Sequence, residues 1–427
     1  MAKSKKKIRG GSGDGSIYVM TWLILVCAYL SIMSVKWANA PTLRAGELLP
    51  IAGLTLSVLV FRIMFRQSVY QGDRLIPPIV LLLTGLGLLL QFRLGNIDLT
   101  DPSMASTYAY PLGMCAFLVS WLVFRRGRYM GLSGLALPAL LLACLLLGAI
   151  LAMGQRYRGA VFLAGQVNPA ELVKLLLAIF LAGIMTDFRK PLQQTVAGIP
   201  APPMRSVLTL AVLWAVPMGL LMVQRDLGMI ILLNVVMLVL IFMATGKWGY
   251  LFIGSFGAAG ASYFGFQFFS HARVRFLAWQ DPFSDPTGKG WQILQSLSAM
   301  FSGGLMGTGL GSGAPTVVPI AASDFIYAAF AEEMGFIGCV LLVVVYLLLF
   351  YRGYRIADQL RQPFAQTLAA ALTTLLAMQT LMNMGGVTKA IPLTGITLPL
   401  LSHGGSSLIT SLIMLGLLTA LSEPGKK

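Results

Sequence analysis

The chain has 427 residues, 57% hydrophobic and only 11% charged, with a mean hydropathy of +0.80. Soluble domains carry roughly a quarter charged residues, so a water-soluble globule is excluded. The net charge of +16 does not describe a nucleic-acid-binding protein, because the bases cluster between apolar segments, as cytoplasmic loops of a membrane protein require.

The basic start KSKKKIRG leads into an apolar run that no small-x-small cleavage site closes, so it reads as a retained first helix rather than a signal peptide. Apolar runs of membrane-crossing length then recur at 17–35, 48–65, 75–91, 108–124, 132–153, 170–186, 207–222, 227–245, 250–269, 334–350, 364–384 and 402–421. Helices are the expected solution, because inside lipid each backbone polar group must be paired within the protein. The alternating segments of a transmembrane β-barrel are absent. The expectation is an all-α polytopic membrane protein of about 12 transmembrane helices. Lysines and arginines are about twofold more numerous on the side holding both termini, which puts both termini in the cytoplasm and the 270–333 loop outside. Cys27, Cys115, Cys144 and Cys339 lie in or beside apolar runs with no paired spacing, which supports neither a disulfide framework nor a metal knuckle.

Charges inside or beside the apolar runs are the candidate functional residues. Glu171 and Lys174 are three apart at the start of a helix and share one face. They form either a neutralised pair that pins the helix or the polar floor of a cavity. Asp226, in VQRDLG, either pairs with Arg225 in a loop or points inward. In the 270–333 loop, residues 290–302 are amphipathic enough for a helix at the membrane interface or re-entering it. Gly303, Gly304, Gly307, Gly309, Gly311 and Gly313 make the next tract permissive, and its plain reading is a flexible entrance. A phosphate-binding Gly-Lys-Ser/Thr ending is missing.

Glu332 and Glu333 stand too far past Ser323–Asp324 to be first-turn residues of a helix starting there, so at least one faces a polar interior. Ser323 can cap that helix and Asp324 can complement its positive end. Alternatively Asp324 is a carboxylate at the membrane surface, able to take a proton from a sugar hydroxyl. Nearer the C-terminus, Pro392, Pro399, Gly404 and Gly405 predict a broken segment lining a cavity, in which Lys389 can meet a phosphate. His271 and His403 lack the companions a zinc site needs.

Five separate stretches, in order, resemble the SEDS family (shape, elongation, division and sporulation), of the RodA, FtsW and SpoVE kind. They are NPAELVK (168–174), QRDLG (224–228), RVRFLAWQDPFSDPTGKGWQILQS (273–296), SDFIYAAFAEEMG (323–335), and Asn383 followed by IPLTGITLPLLSHGGSS (391–407). Departures are modest: Asn168 and Ala170 alter a Gln-Pro-Ser-Glu pattern, Arg225 stands where proline is common, and His403 where tyrosine is usual. The resemblance implies a ten-helix core, 75–421, preceded by a basic cytoplasmic tail (1–16) and two additional helices (17–74). Within the core it implies an extracellular catalytic loop at 270–333 between helices 9 and 10, and a cytoplasmic tail follows at 422–427.

By the same resemblance the chain is a peptidoglycan glycosyltransferase of the bacterial cytoplasmic membrane. It would polymerise lipid II into β-1,4 glycan beside a class B penicillin-binding transpeptidase, with a divalent cation, Mg or Mn, as the candidate cofactor. Asp324 matches the essential loop aspartate, and Glu171, Lys174 and Asp226 match polar residues of the central cavity. Arg273, Arg275 and Lys389 are candidates for the diphosphate, and Ser406 and Ser407 complete the expected substrate-binding set. A flippase for the same lipid-linked precursor, or a membrane scaffold, are the alternatives.

Overall fold

The computed structural model describes residues 13–39, 45–67, 70–97, 105–157, 160–162, 169–196, 199–268 and 270–425. Most of the basic N-terminal tail, Arg158, Asn168, Lys426 and Lys427 lie outside them, as does the side chain of His271.

Fourteen α-helices account for most of the described chain: α1 (Gly13–Asn39), α2 (Leu49–Gln67), α3 (Ile76–Arg93), α4 (Ala105–Phe124), α5 (Ala136–Met153), α6 (Ala170–Leu192) and α7 (Met204–Gln224) are the first seven. The others are α8 (Leu227–Thr245), α9 (Trp248–Phe268), α10 (Ser270–Gln280), α11 (Trp291–Gly303), α12 (Ile326–Gln359), α13 (Pro363–Val387) and α14 (Gly405–Leu421). Two ribbons of two or three residues per strand, Gln155–Tyr157 with Ala160–Phe162 and Thr195–Val196 with Ile199–Pro200, are the exceptions to an all-α fold.

Each of the twelve apolar runs falls on a helix. Among the described residues, nine helices are long and apolar enough to cross a membrane, and α14 is a shorter apolar helix. The polar content of α6, which carries Glu171 and Lys174 in its first turns, is tolerated because the helix is enclosed by α5, α8 and α13 rather than facing lipid. The other main layers are α4 on α14 and α12 on α13, while α3 is held between α1, α2, α12 and α14. Leu, Val and Phe side chains on the outward faces of α1, α2, α5, α7 and α12 stay exposed, as a lipid solvent requires.

The long loop is organised, not an open entrance. Helix α11 packs on α12, and the glycine tract after it runs alongside a break in α12 at Gly335 (φ 66°, ψ −172°). There the two backbones exchange hydrogen bonds: Thr308 N donates to Glu332 O (3.0 Å), Gly309 N to Glu333 O (2.9 Å), Phe336 N to Gly304 O (2.9 Å) and Ile337 N to Leu305 O (3.1 Å). The glycines permit this approach, since a Cβ on Gly335 would lie 2.2 Å from Gly307 N. Glu333 pairs with Arg93 at the end of α3 (3.1 Å), and Arg93 also donates to Gly313 O (2.8 Å). Both glutamates are buried, where their distance from the expected helix start implied an inward position for at least one.

Gly335→Ala puts a Cβ against the loop backbone at a φ/ψ that L-residues avoid. It should cost about 2–4 kcal/mol and lower the thermal unfolding midpoint in detergent.

Candidate functional site

Asp324 sits two residues before α12, and the chain leading to it is fastened at three successive carbonyls. Ala322 O accepts from Gln91 Nε2 (2.9 Å) on α3 and from His403 N (2.6 Å). Ser323 O accepts from Ser402 Oγ (2.6 Å), and Asp324 O from Asn383 Nδ2 (2.9 Å) on α13. The expected Ser323 N-cap is therefore not formed. Phe325 holds the cap position without a side-chain hydrogen bond, because residues 322–324 are tied into long-range contacts instead of the helix's first turn. The Ser323 hydroxyl serves the Asp324 carboxylate.

That carboxylate is pushed above the usual aspartate range by burial, an effect offset in part by the Ser323 hydroxyl and by the charge of Arg275. Arg275, on α10, donates to Thr394 O (2.8 Å). Burial lowers its own pKa, while Asp324 and Asp226 act in the opposite direction. Asp226 is the N-cap of α8 and accepts from Met229 N (3.0 Å), so it does the capping that a break at QRDLG needs while Arg225 takes a left-handed turn (φ 62°) and stays exposed. Of the two readings of Asp226, the inward one holds. Burial raises its pKa first, and Glu171, Lys174 and Arg275 all act on it.

Glu171 and Lys174 form an ion pair at 2.5 Å, with Lys174 only 1% exposed. Lys174 Nζ also donates to Gln379 Oε1 (2.9 Å) on α13. Gln379 Nε2 in turn donates to Thr397 O (3.0 Å), and the Thr397 and Ser407 hydroxyls lie 2.9 Å apart. One turn further along α13, Asn383 Nδ2 reaches Ile396 O (2.7 Å) as well as Asp324 O. Helix α13 thus ties the Glu171–Lys174 pair, the 391–402 segment and Asp324 to one rigid face.

The structure brings together Asp324, Arg275, Asp226, Glu171 and Lys174, and connects Ser407 to them. Arg273 is exposed and, two residues from Arg275, projects from a different side of α10. Lys389 lies just past α13 in a left-handed turn (φ 60°), its carbonyl accepting from Trp279 Nε1 (3.0 Å), and Ser406 is in the first turn of α14. Gln91, Gln379 and Asn383 were not singled out as site residues. A Gln and an Asn four apart in the otherwise apolar span ALTTLLAMQTLMN is the signal that identifies two of them.

Among the described residues no three His, Cys, Asp or Glu side chains gather where they could hold a metal ion. The carboxylate of Asp324 has an arginine as its charge partner. The side chains present therefore do not form a cage for a resident Mg or Mn ion.

Comparison with known proteins bears on the family and the fold. The profile of the cell cycle protein family of FtsW, RodA and SpoVE matches residues 73–427. Peptidoglycan glycosyltransferase RodA of Mycobacterium tuberculosis is 37% identical over 378 residues, 83% of this chain and 79% of that protein. Stage V sporulation protein E of Bacillus subtilis is 34% identical over 265 residues, 61% and 69% of the two chains. A chain from a solved peptidoglycan synthase complex, described as coordinating polymerization and crosslinking, superposes with a TM-score of 0.65 at 28% identity. The match covers 82% of this chain and 98% of that one. The rod shape determining protein RodA of Thermus thermophilus gives a TM-score of 0.58 at 26% identity, over 82% and 97%. With five motifs in order, a shared helical core and a family match across most of its length, this chain belongs to the FtsW/RodA/SpoVE family, the SEDS proteins.

Proposed function

We propose that this chain is a peptidoglycan glycosyltransferase that polymerises lipid II at the outer face of the bacterial cytoplasmic membrane, with Asp324 as its general base. The observation that carries the reading is a carboxylate fixed by three consecutive backbone anchors, partly desolvated, and set beside one arginine. The 4-hydroxyl of the acceptor's GlcNAc gives its proton to Asp324 as its oxygen bonds to C1 of the donor's MurNAc. The C1–O bond to the polyprenyl diphosphate breaks, and attack from the opposite face turns the α-linked donor into a β-1,4 linkage. A diphosphate is a good enough leaving group to depart without a second, acidic carboxyl, unlike the sugar oxygen in glycoside hydrolysis.

Arg275 is already engaged by Thr394 O and by the two aspartates, so its role is to keep Asp324 ionised. Arg273, exposed on α10, and Lys389 are assigned to the leaving diphosphate. A divalent cation, Mg or Mn, enters this proposal only as a counter-ion arriving with that diphosphate.

The two ends of α12 support the orientation. At its far end Arg352 Nε pairs with Asp73 (2.6 Å), Tyr70 meets Ser422 (3.0 Å) and Trp121 donates to Glu423 (2.7 Å). The C-terminus and the arginine-rich loops thus share one end, and Asp324 begins the other. With positive loops inside, both termini are cytoplasmic and Asp324 is outside. A class B penicillin-binding transpeptidase is the proposed partner, supported by the likeness to a chain of a peptidoglycan synthase complex.

Purified protein given fluorescent lipid II should make polymer, and Asp324→Ala should reduce the rate about 10²–10⁴-fold. Lipid translocation without polymer would favour the flippase reading, and full activity of Asp324→Ala would reject this site.

The base works only when ionised, so the rate should rise with pH through the elevated Asp324 pKa. Arg275→Gln removes a charge that lowers that pKa, and the acid limb of the pH–rate profile should move to higher pH.

Lys174→Met leaves Glu171 as a carboxylate deprived of its charge partner inside the bundle. It should cost about 3–5 kcal/mol in detergent unfolding, largely recovered by adding Glu171→Gln.

A further inference from the structure

Helices α1 and α2 precede the region shared with the family, which begins at residue 73. They nevertheless reach the loop that leads to Asp324. Ser31 Oγ, on α1, donates to Leu310 O (3.1 Å). The next residue, Ile32, is buried, and with Val35 it packs on Gly311: a Cβ built at Gly311 would lie 3.1 Å from Ile32 Cα and 3.4 Å from Val35 Cβ. Gly311 has φ +95°, so both its conformation and its close approach to α1 call for glycine.

The far side of the same loop is held by the core. Glu333 accepts from the Gly311 backbone and pairs with Arg93, while Glu332 Oε1 accepts from Ala314 N (2.9 Å). The outer end of α1 is tied in turn to the end of α3 that carries Arg93. Lys36 pairs with Glu47 (2.7 Å) and lies over the ring of Phe92 (5.2 Å). A tract with six glycines in eleven residues gains much conformational entropy when released, and α1 is packed against it at Leu310–Gly311.

We infer that α1 is a positioning clamp. Through Ser31, Ile32 and Val35 it presses the glycine loop at Leu310–Gly311 onto the Arg93–Glu333 pair, and so fixes the approach of the segment that carries Asp324. The inference rests on Asp324 as the base, and it assigns a task in the reaction to helices outside the family's shared core. Ser31 is a positioning residue, since its hydroxyl acts on the carboxylate only through the loop, and Ile32 meets Gly311 through its main chain.

The test compares full-length wild type with Ser31→Ala, the conservative Ser31→Thr, and Leu30→Ala on the exposed side of α1, using fluorescent lipid II as the substrate. Ser31→Ala removes the hydroxyl that holds Leu310 O; it should lower kcat severalfold with KM unchanged, and should speed amide exchange at Gly309 and Gly311 while leaving α13 protected. Ser31→Thr, which keeps the hydroxyl, should restore both, and Leu30→Ala should alter neither. Wild-type kcat in Ser31→Ala, or unchanged loop exchange, would overturn the clamp and leave the reading of Asp324 intact. Equal activity of wild type and Asp324→Ala would instead remove the catalytic reading, whatever Ser31 does.

Discussion

A helix cannot be interrupted inside lipid unless each freed amide and carbonyl finds another partner. That constraint governs the half of this molecule that holds Asp324. At Gly335 the backbone of α12 leaves helical geometry, and the amides of Phe336 and Ile337 are satisfied by carbonyls from the glycine tract after α11. The tract's own amides at Thr308 and Gly309 return to Glu332 O and Glu333 O. Neither partner can move without stranding the other, so loop and helix behave as one element. The side chains of Glu332 and Glu333 extend the union to Ala314 and Arg93, which carries the restraint to within ten residues of Asp324.

The electrostatics of the site follow from a second constraint, the cost of unbalanced charge away from water. The cluster contains three carboxylates, Asp324, Asp226 and Glu171, against two cations, Arg275 and Lys174. With all five ionised it is one negative charge in excess, and burial pushes both aspartates toward the protonated form. Taking up one proton brings the group to neutrality. The proton transfer proposed for Asp324 is therefore one that relieves the charge imbalance, and burial makes this carboxylate a stronger proton acceptor than an aspartate in water.

What was legible in the sequence is what depends on local spacing. Apolar runs located the helices, and the three-residue interval placed Glu171 beside Lys174. The QRDLG break was visible as a gap between two runs, and residues 290–302 do form an amphipathic helix. What was misread depends on partners far along the chain. Ser323 followed by Asp324 is a good local capping pattern, yet Gln91, Ser402 and Asn383, each at least 59 residues away, hold that stretch in another conformation. The glycine tract read as flexible because glycine's local freedom is all that its sequence reveals, whereas here the small residues serve close packing. Lys174 showed one partner in the sequence and has a second, Gln379, at a separation of 205 residues.

The same anchors explain two backbone conformations that would otherwise relax. Ile320 has φ 56° and Leu400 φ 70°, and such geometry costs of the order of 1–3 kcal/mol for each side chain of this kind. Both sit next to the fastening points: Ser323 N donates to Ile320 O, and Leu401 O shares the Gln91 amide with Ala322 O. Strain of this kind survives only where surrounding contacts outweigh it, and here several charge-free hydrogen bonds in a low dielectric do so. Because the cost is met in folding, the segment that carries Asp324 is ordered in advance, and the reaction proposed for it would not have to supply the ordering of its base.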